Sequence, residues 1–135
     1  MDWVHDVKGE AYEQLLTSLL SRCETVQCVM REEDDDYFEA IQHSLIDKKY
    51  VTDWPLTKLG DNSAPILQYT FHYNFKTATF LKEQRSSLFS WLMPFPEDWS
   101  FWQGDTCLLA TCTHEQYVDI HPDIASEITS FFKRR

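Results

Sequence analysis

The sequence has few glycines, few basic residues and no long hydrophobic run. Only three of its 135 residues are glycine, and no Gly-x-Gly-x-x-Gly or Walker sequence is present to cradle a phosphate. Three glycines and five prolines also leave little room for flexible linkers. We therefore expect one compact domain over residues 1–135 and none of the common nucleotide enzymes.

Basic residues are outnumbered by acidic ones, 12 to 22, which gives a formal net charge of -10. Proteins that hold nucleic acid neutralise its phosphates with Lys and Arg, so we expect no nucleic-acid partner. Lys and Arg cluster only at Lys133–Arg135. The composition favours a basic protein partner, because opposite charge steers the encounter. The alternative is that the negative charge serves solubility alone.

Membrane and secretion signals are missing from the sequence. A membrane-spanning helix needs about 18 consecutive apolar residues, and no such run occurs. The opening residues, Met1 to Asp6, have neither the basic nor the apolar region of a signal peptide. These features predict a cytoplasmic protein with no membrane partner, in which cysteines are reduced.

Hydrophobic periodicity predicts three strong amphipathic elements. Apolar residues spaced by three and four predict a helix over Glu10–Cys23. Alternation of aromatic and polar side chains predicts a strand over Ile66–Phe75, whose aromatic face must be covered. A last helix is predicted to begin at Pro122 and to bury one face of Ile124–Phe132.

Weaker patterns complete the predicted fold. They indicate a strand at Val26–Met30, a helix from about Asp36 to Ile46, a short strand at Tyr50–Trp54, a helix over Thr77–Trp91 with a returning strand as the alternative, an aromatic loop at Pro94–Gly104, and a hairpin formed by Thr106–Thr113 and Gln116–Ile120. This order predicts an α+β fold, with a mostly antiparallel sheet of about four to six strands and helices mainly on one face.

Five adjacent carboxylates form the most acidic segment: Glu32, Glu33, Asp34, Asp35 and Asp36. Like charges repel, so this run must be solvated. It lacks the alternating ligands, central glycine and closing glutamate of a calcium loop. We interpret it as a solvated helix start and, alternatively, as a surface for a basic partner.

Three tryptophans, Trp91, Trp99 and Trp102, lie within twelve residues of one another. Tryptophan is enriched at binding hot spots because it buries a large area at low entropic cost. The segment therefore predicts either a plug for the end of the core or an exposed patch that binds a partner.

The four cysteines fall in two pairs, Cys23 with Cys28 and Cys107 with Cys112. Four thiolates can form a tetrahedral zinc site, but a spacing of five places two residues of one strand on opposite faces. We therefore expect core thiols, and we predict neither a metal nor a cofactor.

His114 and Glu115 form a polar pair among hydrophobic neighbours. A histidine beside a carboxylate can be poised for proton transfer. The second histidine of a His-Glu-x-x-His zinc motif is missing, because Val118 occupies its position. No nucleophile with a recognisable surround is present, so no catalytic residue is assigned.

A wider pattern includes this pair. Pro96-Glu97-Asp98, the aromatic residues after it, Gly104, the following strand and His114-Glu115 resemble a pattern in small uncharacterised bacterial cytosolic proteins, some labelled stage III sporulation. The resemblance covers about residues 91–120. It implies a bacterial or phage origin and a role for Glu97, Asp98, His114 and Glu115 in holding the hairpin, and it implies no activity.

Three hypotheses of function follow. The leading one is a non-enzymatic interaction protein, such as an acidic inhibitor or immunity-type protein that covers a basic partner. The second is a small enzyme or ligand-binding domain with a pocket formed by Glu97, Asp98, His114 and Glu115 near Trp99. The third is an accessory subunit that oligomerises through its aromatic strand.

Overall fold

The computed structural model describes residues 6–132; the first five residues and the predicted basic cluster Lys133–Arg135 lie outside that range. The strands are β1 Thr25–Met30, β2 Leu45–Val51, β3 Asp53–Trp54, β4 Thr57–Lys58, β5 Ile66–His72, β6 Glu97–Gln103, β7 Thr106–Cys112 and β8 Tyr117–Ile120. The helices are α1 Glu10–Leu19, α2 Phe75–Gln84 and α3 Pro122–Ile128, with 3-10 segments at Asp35–Ser44, Leu88–Ser90 and Thr129–Phe132.

Six of the strands form one antiparallel sheet in the order β2-β5-β1-β6-β7-β8. Strands β3 and β4 form a separate small hairpin. The sheet and the helices confirm the prediction of an α+β fold with antiparallel strands.

The hydrophobic core lies between the helices and one face of the sheet. Strand residues that alternate along the chain, such as Val26, Phe71 and Phe101, join buried residues of all three helices in one cluster. The opposite face carries polar residues such as Gln27 and Thr70. The helices therefore cover one face, as predicted. None of the helices within residues 6–132 combines the length and apolar composition needed to cross a membrane.

Helix α1 confirms the first predicted element in all but its last turn. Leu15 and Leu19 are fully buried, and full burial of a leucine contributes about 2 kcal/mol. The helix ends at Leu19, and a turn then brings Cys23 into the core, where its backbone N–H donates to the Leu19 carbonyl.

The segment after the acidic run differs from its prediction. Residues Asp35–Ser44 form 3-10 turns broken at Phe38 and Ile41 in place of an α-helix. The cap is Asp34, whose Oδ1 accepts from the Tyr37 amide, and not Asp36. The chain becomes extended at Leu45, because β2 supplies the hydrogen bonds that the outer edge of β5 requires.

The strand predicted to reach Phe75 ends at His72, and α2 begins at Phe75 and ends at Gln84 instead of Trp91. The side chain of Asn74 accepts from the Thr77 amide and starts this helix. Phe75 is consequently 73% exposed, where the strand pattern predicts a buried ring. The helix stops because Arg85 adopts an extended backbone.

The predicted aromatic loop contains strand β6, which lies next to the centre of the sheet and pairs with β1 and β7. Trp99 and Phe101 point into the core, whereas Ser100 and Trp102 occupy the alternate positions. This alternation of residues with high β propensity is typical of a strand. The prolines before it suggest a loop, which is why the sequence does not predict the strand. The predicted hairpin is confirmed as β7 and β8. The last helix begins at Pro122 as predicted, but its α-helical part ends at Ile128 and Thr129–Phe132 continues as 3-10 turns.

Candidate functional site

The carboxylate of Glu97 is buried at the start of β6, with 1% of the residue exposed. Its Oε1 accepts from Arg31 Nε at 3.1 Å, and its Oε2 accepts from the Met93 amide at 2.9 Å. The Nε2 atom of His114 lies 3.4 Å from Oε2. One buried carboxylate therefore joins the end of β1, the loop before β6 and the turn between β7 and β8.

The next residue, Asp98, is buried as well and binds a different set of partners. Its Oδ2 accepts from the Trp54 indole at 2.9 Å, and its Oδ1 accepts from the Thr113 amide at 2.8 Å. Its φ of 55° lies in the left-handed region, which aspartate tolerates better than most residues. Asp98 thus fastens the β3–β4 hairpin and the β7–β8 turn to the sheet.

These contacts surround a cavity of about 310 Å³. Its lining includes three of the four predicted pocket residues, Asp98, His114 and Glu115, and Glu97 contacts the histidine. The predicted neighbour Trp99 lies in the core on the other face. Sequence reasoning missed the remaining lining residues: Arg31, Trp54, Leu56, Thr57, Lys58, Leu59 and Cys112.

The acidic run is exposed along its length, and two of its residues form ion pairs with β2. Lys48 Nζ donates to Glu33 Oε2 at 2.6 Å and to Asp35 Oδ2 at 2.9 Å, and the Tyr69 hydroxyl donates to Asp35 Oδ1 at 2.8 Å. Hydrogen bonds from Lys48 and Tyr69 lower the pKa of Asp35, and those to Glu33 and Asp35 raise the pKa of Lys48. The run is therefore fixed against the β2 edge of the sheet.

A groove of about 300 Å³ opens beside this contact. Its walls combine apolar rings and chains with one carboxylate: Asp35, Phe38, Gln42, Leu45, Tyr69 and Phe71. Leu45 of this groove and Ile46 and Tyr50 of the same strand, β2, expose large hydrophobic side chains, and Tyr50 is 67% exposed.

The three tryptophans do not form an exposed patch. Trp91 and Trp99 are buried, at 1% and 2% exposure, and their rings meet edge to face with centroids 5.1 Å apart. Neither ring is accessible to a partner in this structure, because strand alternation turns Trp99 inward and Trp91 donates to the buried Tyr12 hydroxyl. Trp102 is half-buried on the opposite face, where its indole donates to Ser100 Oγ.

The aromatic strand is likewise covered. Tyr69 and Phe71 of β5, and Tyr73 directly after the strand, are buried beneath the helices. Phe75, the last aromatic residue of the predicted strand, lies in α2 and is 73% exposed, so the covered aromatic face is that of Tyr69, Phe71 and Tyr73, and oligomerisation stays a prediction.

The cysteines are free thiols. Burial raises the pKa of Cys23 to about 12 and that of Cys107 to about 11, and it raises the pKa of Cys28 well above its usual value. Within residues 6–132, no group of three or more His, Cys, Asp and Glu side chains has an arrangement that could hold a metal ion.

Comparison with protein-family models, curated proteins and solved structures found no match to this chain.

Proposed function

We propose that this chain is a cytoplasmic, non-enzymatic interaction protein that binds a basic protein partner through the acidic run and the adjoining groove. The partner class is a protein with exposed Lys and Arg, such as the basic toxins that immunity-type inhibitors cover. Nucleic acid is disfavoured as a partner because its phosphates would meet carboxylates.

Charge supports this proposal in two ways. The full chain carries -10, which speeds encounter with a cationic surface at low ionic strength. In addition, the acidic run concentrates carboxylates at one edge of the sheet, and Lys48 neutralises only part of them, through Glu33 and Asp35. The side chains of Glu32 and Asp36 form no hydrogen bond or ion pair within residues 6–132.

The groove beside Asp35 is the observation that carries the proposal. A Lys or Arg side chain has an aliphatic stem that favours apolar walls and a cationic head that favours a carboxylate. Phe38, Leu45 and Phe71 provide such walls, and Asp35 stands at the same groove. Lys48 and Tyr69 already occupy both oxygens of Asp35, so the carboxylates left for a partner's cations are the exposed ones of the run, Glu32 and Asp36.

Exposed side chains of β2 supply the apolar area that the buried tryptophans do not. Leu45, Ile46 and Tyr50 lie on the same edge of the sheet as Lys48. An interface needs a desolvated apolar centre as well as a charged rim, and this edge offers both within one strand and the loop next to it.

The test uses affinity capture from cell extract to identify a partner, followed by titration of the purified pair. In the variant Glu32→Gln/Asp36→Asn/Glu39→Gln, two exposed carboxylates of the acidic run and one of the 3-10 segment that follows it become neutral. Each exposed pair contributes about 0.5 kcal/mol, so the dissociation constant should rise about tenfold for a total of about 1.5 kcal/mol. Raising NaCl from about 0.05 to about 0.3 M should also weaken binding, because salt screens the attraction.

The matched control is Glu10→Gln/Glu13→Gln/Glu83→Gln, which removes the same charge from exposed positions on α1 and α2. It should change the dissociation constant less than about threefold. Equal losses in both variants would mean that only net charge matters, and a partner that is acidic or indifferent to salt would overturn the proposal.

A further inference from the structure

The β3–β4 hairpin that lines the cavity is bonded to the sheet. Trp54 of β3 donates to Asp98, and Thr57 of β4 places its hydroxyl 3.9 Å from Cys112 Sγ. The hairpin is therefore attached to the sheet at two points, one on each strand. A preformed cavity binds with a smaller entropic penalty than one that must be ordered by its ligand.

The carboxylates at the base of this cavity are already engaged. Asp98 accepts one hydrogen bond on each oxygen, from Trp54 and Thr113. Glu97 accepts from Arg31 and Met93 and lies next to His114. A cationic ligand would have to displace buried hydrogen bonds to reach them, and an unpaired buried donor is costly.

The donors around the cavity are in contrast largely free. Arg31 uses Nε for Glu97 and forms no other side-chain hydrogen bond within residues 6–132, so both terminal nitrogens remain. Lys58 forms no ion pair with the residues that the structure describes. The His114 side chain is 58% exposed, but its Nε2 faces Glu97 Oε2 at 3.4 Å, so it is not counted among the free donors. Only Glu115 adds an exposed carboxylate to the lining.

Apolar side chains form the rest of the lining. Trp54, Leu56 and Leu59 come from the hairpin and its flanks. A volume of about 310 Å³ lies at the small end of the range for ligand sites. The combination suits a small molecule that joins one oxyanion to one apolar group.

We infer that this cavity is a binding site for a small organic anion, in which Arg31 and Lys58 hold a carboxylate or phosphate group and the hairpin covers an apolar group. The inference is independent of the proposed protein partner, because it concerns different side chains and needs no charge on the acidic run.

The test titrates benzoate, phenyl phosphate and the uncharged analogue benzamide into the ¹⁵N-labelled protein. The Trp54 indole N–H signal reports on the cavity directly, since this group forms part of the lining. We expect a saturable shift of that signal with benzoate or phenyl phosphate and at least about tenfold weaker binding of benzamide, which lacks the charge that Arg31 and Lys58 recognise. The relative strength of the two anions decides between carboxylate and phosphate.

The variant Lys58→Gln should weaken the anion about tenfold, the loss typical of one charge-assisted hydrogen bond. The control Lys49→Gln removes the same charge from exposed β2, outside the cavity lining, and should leave binding within about twofold. Both variants should keep the circular dichroism of the original chain, because neither lysine side chain forms a hydrogen bond within residues 6–132 and the backbone pairing of both strands is unchanged.

Three results would overturn the inference. The first is no shift of the Trp54 indole with either anion at about 10 mM, a concentration that detects even weak sites. The second is benzamide binding as tightly as benzoate, and the third is equal anion affinity of the Lys58 and Lys49 variants. None of these results bears on partner binding at the acidic run, so the two proposals fail separately.

Discussion

Replacing Tyr12 with phenylalanine removes one oxygen atom from the core and breaks two hydrogen bonds. The Tyr12 hydroxyl donates to the Leu81 carbonyl at 2.8 Å and accepts from Trp91 Nε1 at 3.1 Å. It thereby joins α1 to α2 and to the segment that leads into β6. All three side chains are buried, so water cannot replace the lost partner without a rearrangement.

The size of the effect follows from these two bonds. The Trp91 indole loses its hydrogen-bond acceptor, and an unsatisfied buried donor costs about 1–3 kcal/mol. The Leu81 carbonyl keeps a long contact with the Arg85 amide at 3.5 Å, so its loss is smaller. The ring itself remains, and the cavity term for a single oxygen is small. We therefore expect Tyr12→Phe to lower the free energy of unfolding by about 2 kcal/mol.

Urea denaturation followed by circular dichroism measures this change. A slope of about 2 kcal/mol per molar urea converts the loss to a midpoint shift of about 1 M. The control is Tyr50→Phe, which removes the same atom from an exposed edge strand and should shift the free energy by less than about 0.5 kcal/mol. Equal effects for the two substitutions, or a loss below about 0.5 kcal/mol at Tyr12, would refute the account of the buried network.

Alkaline pH and thiol reagents test burial at other positions. Burial raises the pKa of Tyr12 and Tyr73 and brings that of Tyr37 to about 12, so these folded phenols hold their protons to higher pH than unfolded ones. The stabilisation that these phenols give the folded state is complete below about pH 10 and declines above it. The free energy of unfolding should therefore fall above pH 10, by up to about 1.4 kcal/mol per pH unit for each fully buried phenol. A free energy of unfolding that rises above pH 10 would contradict this. Cys23 and Cys28 are buried, and burial raises the pKa of both thiols. At pH 8 they should therefore react with a thiol reagent at least about 100-fold more slowly in the native protein than in urea. Comparable rates in the two conditions would mean that these thiols lie at the surface.

The elements that the sequence predicts well are those whose hydrophobic pattern can be recognised from neighbouring residues alone. Helix α1, strand β1, the β7–β8 hairpin and the start of α3 belong to this group. Strand β6 does not, because two prolines and an acidic pair precede its alternation and suggest a loop. Its position in the sheet depends on pairing with β1, some 70 residues earlier in the chain.

The candidate cavity shows the same limit. Glu97, Asp98, His114 and Glu115 can be grouped from the sequence because all four belong to the pattern at residues 91–120, whose strands β6, β7 and β8 are consecutive neighbours in the sheet. Their partners cannot, since Trp54 contacts Asp98 across 44 residues and Arg31 contacts Glu97 across 66. Such contacts depend on how the strands are ordered in the sheet, and local patterns carry no information about that order.

The loop after β1 belongs to both proposed surfaces. Arg31, its first residue, is bonded to Glu97 at the cavity. Asp35, at its far end, is bonded to Lys48 and Tyr69. A loop held at two points loses less conformational freedom when it binds than one held at neither. The acidic run therefore presents its carboxylates in a fixed arrangement, in contrast to a disordered acidic tail, which must be ordered at the moment of binding. For this reason the charge variants at the run leave Arg31 and Asp35 intact, so that a loss of partner affinity measures charge and not the position of the loop.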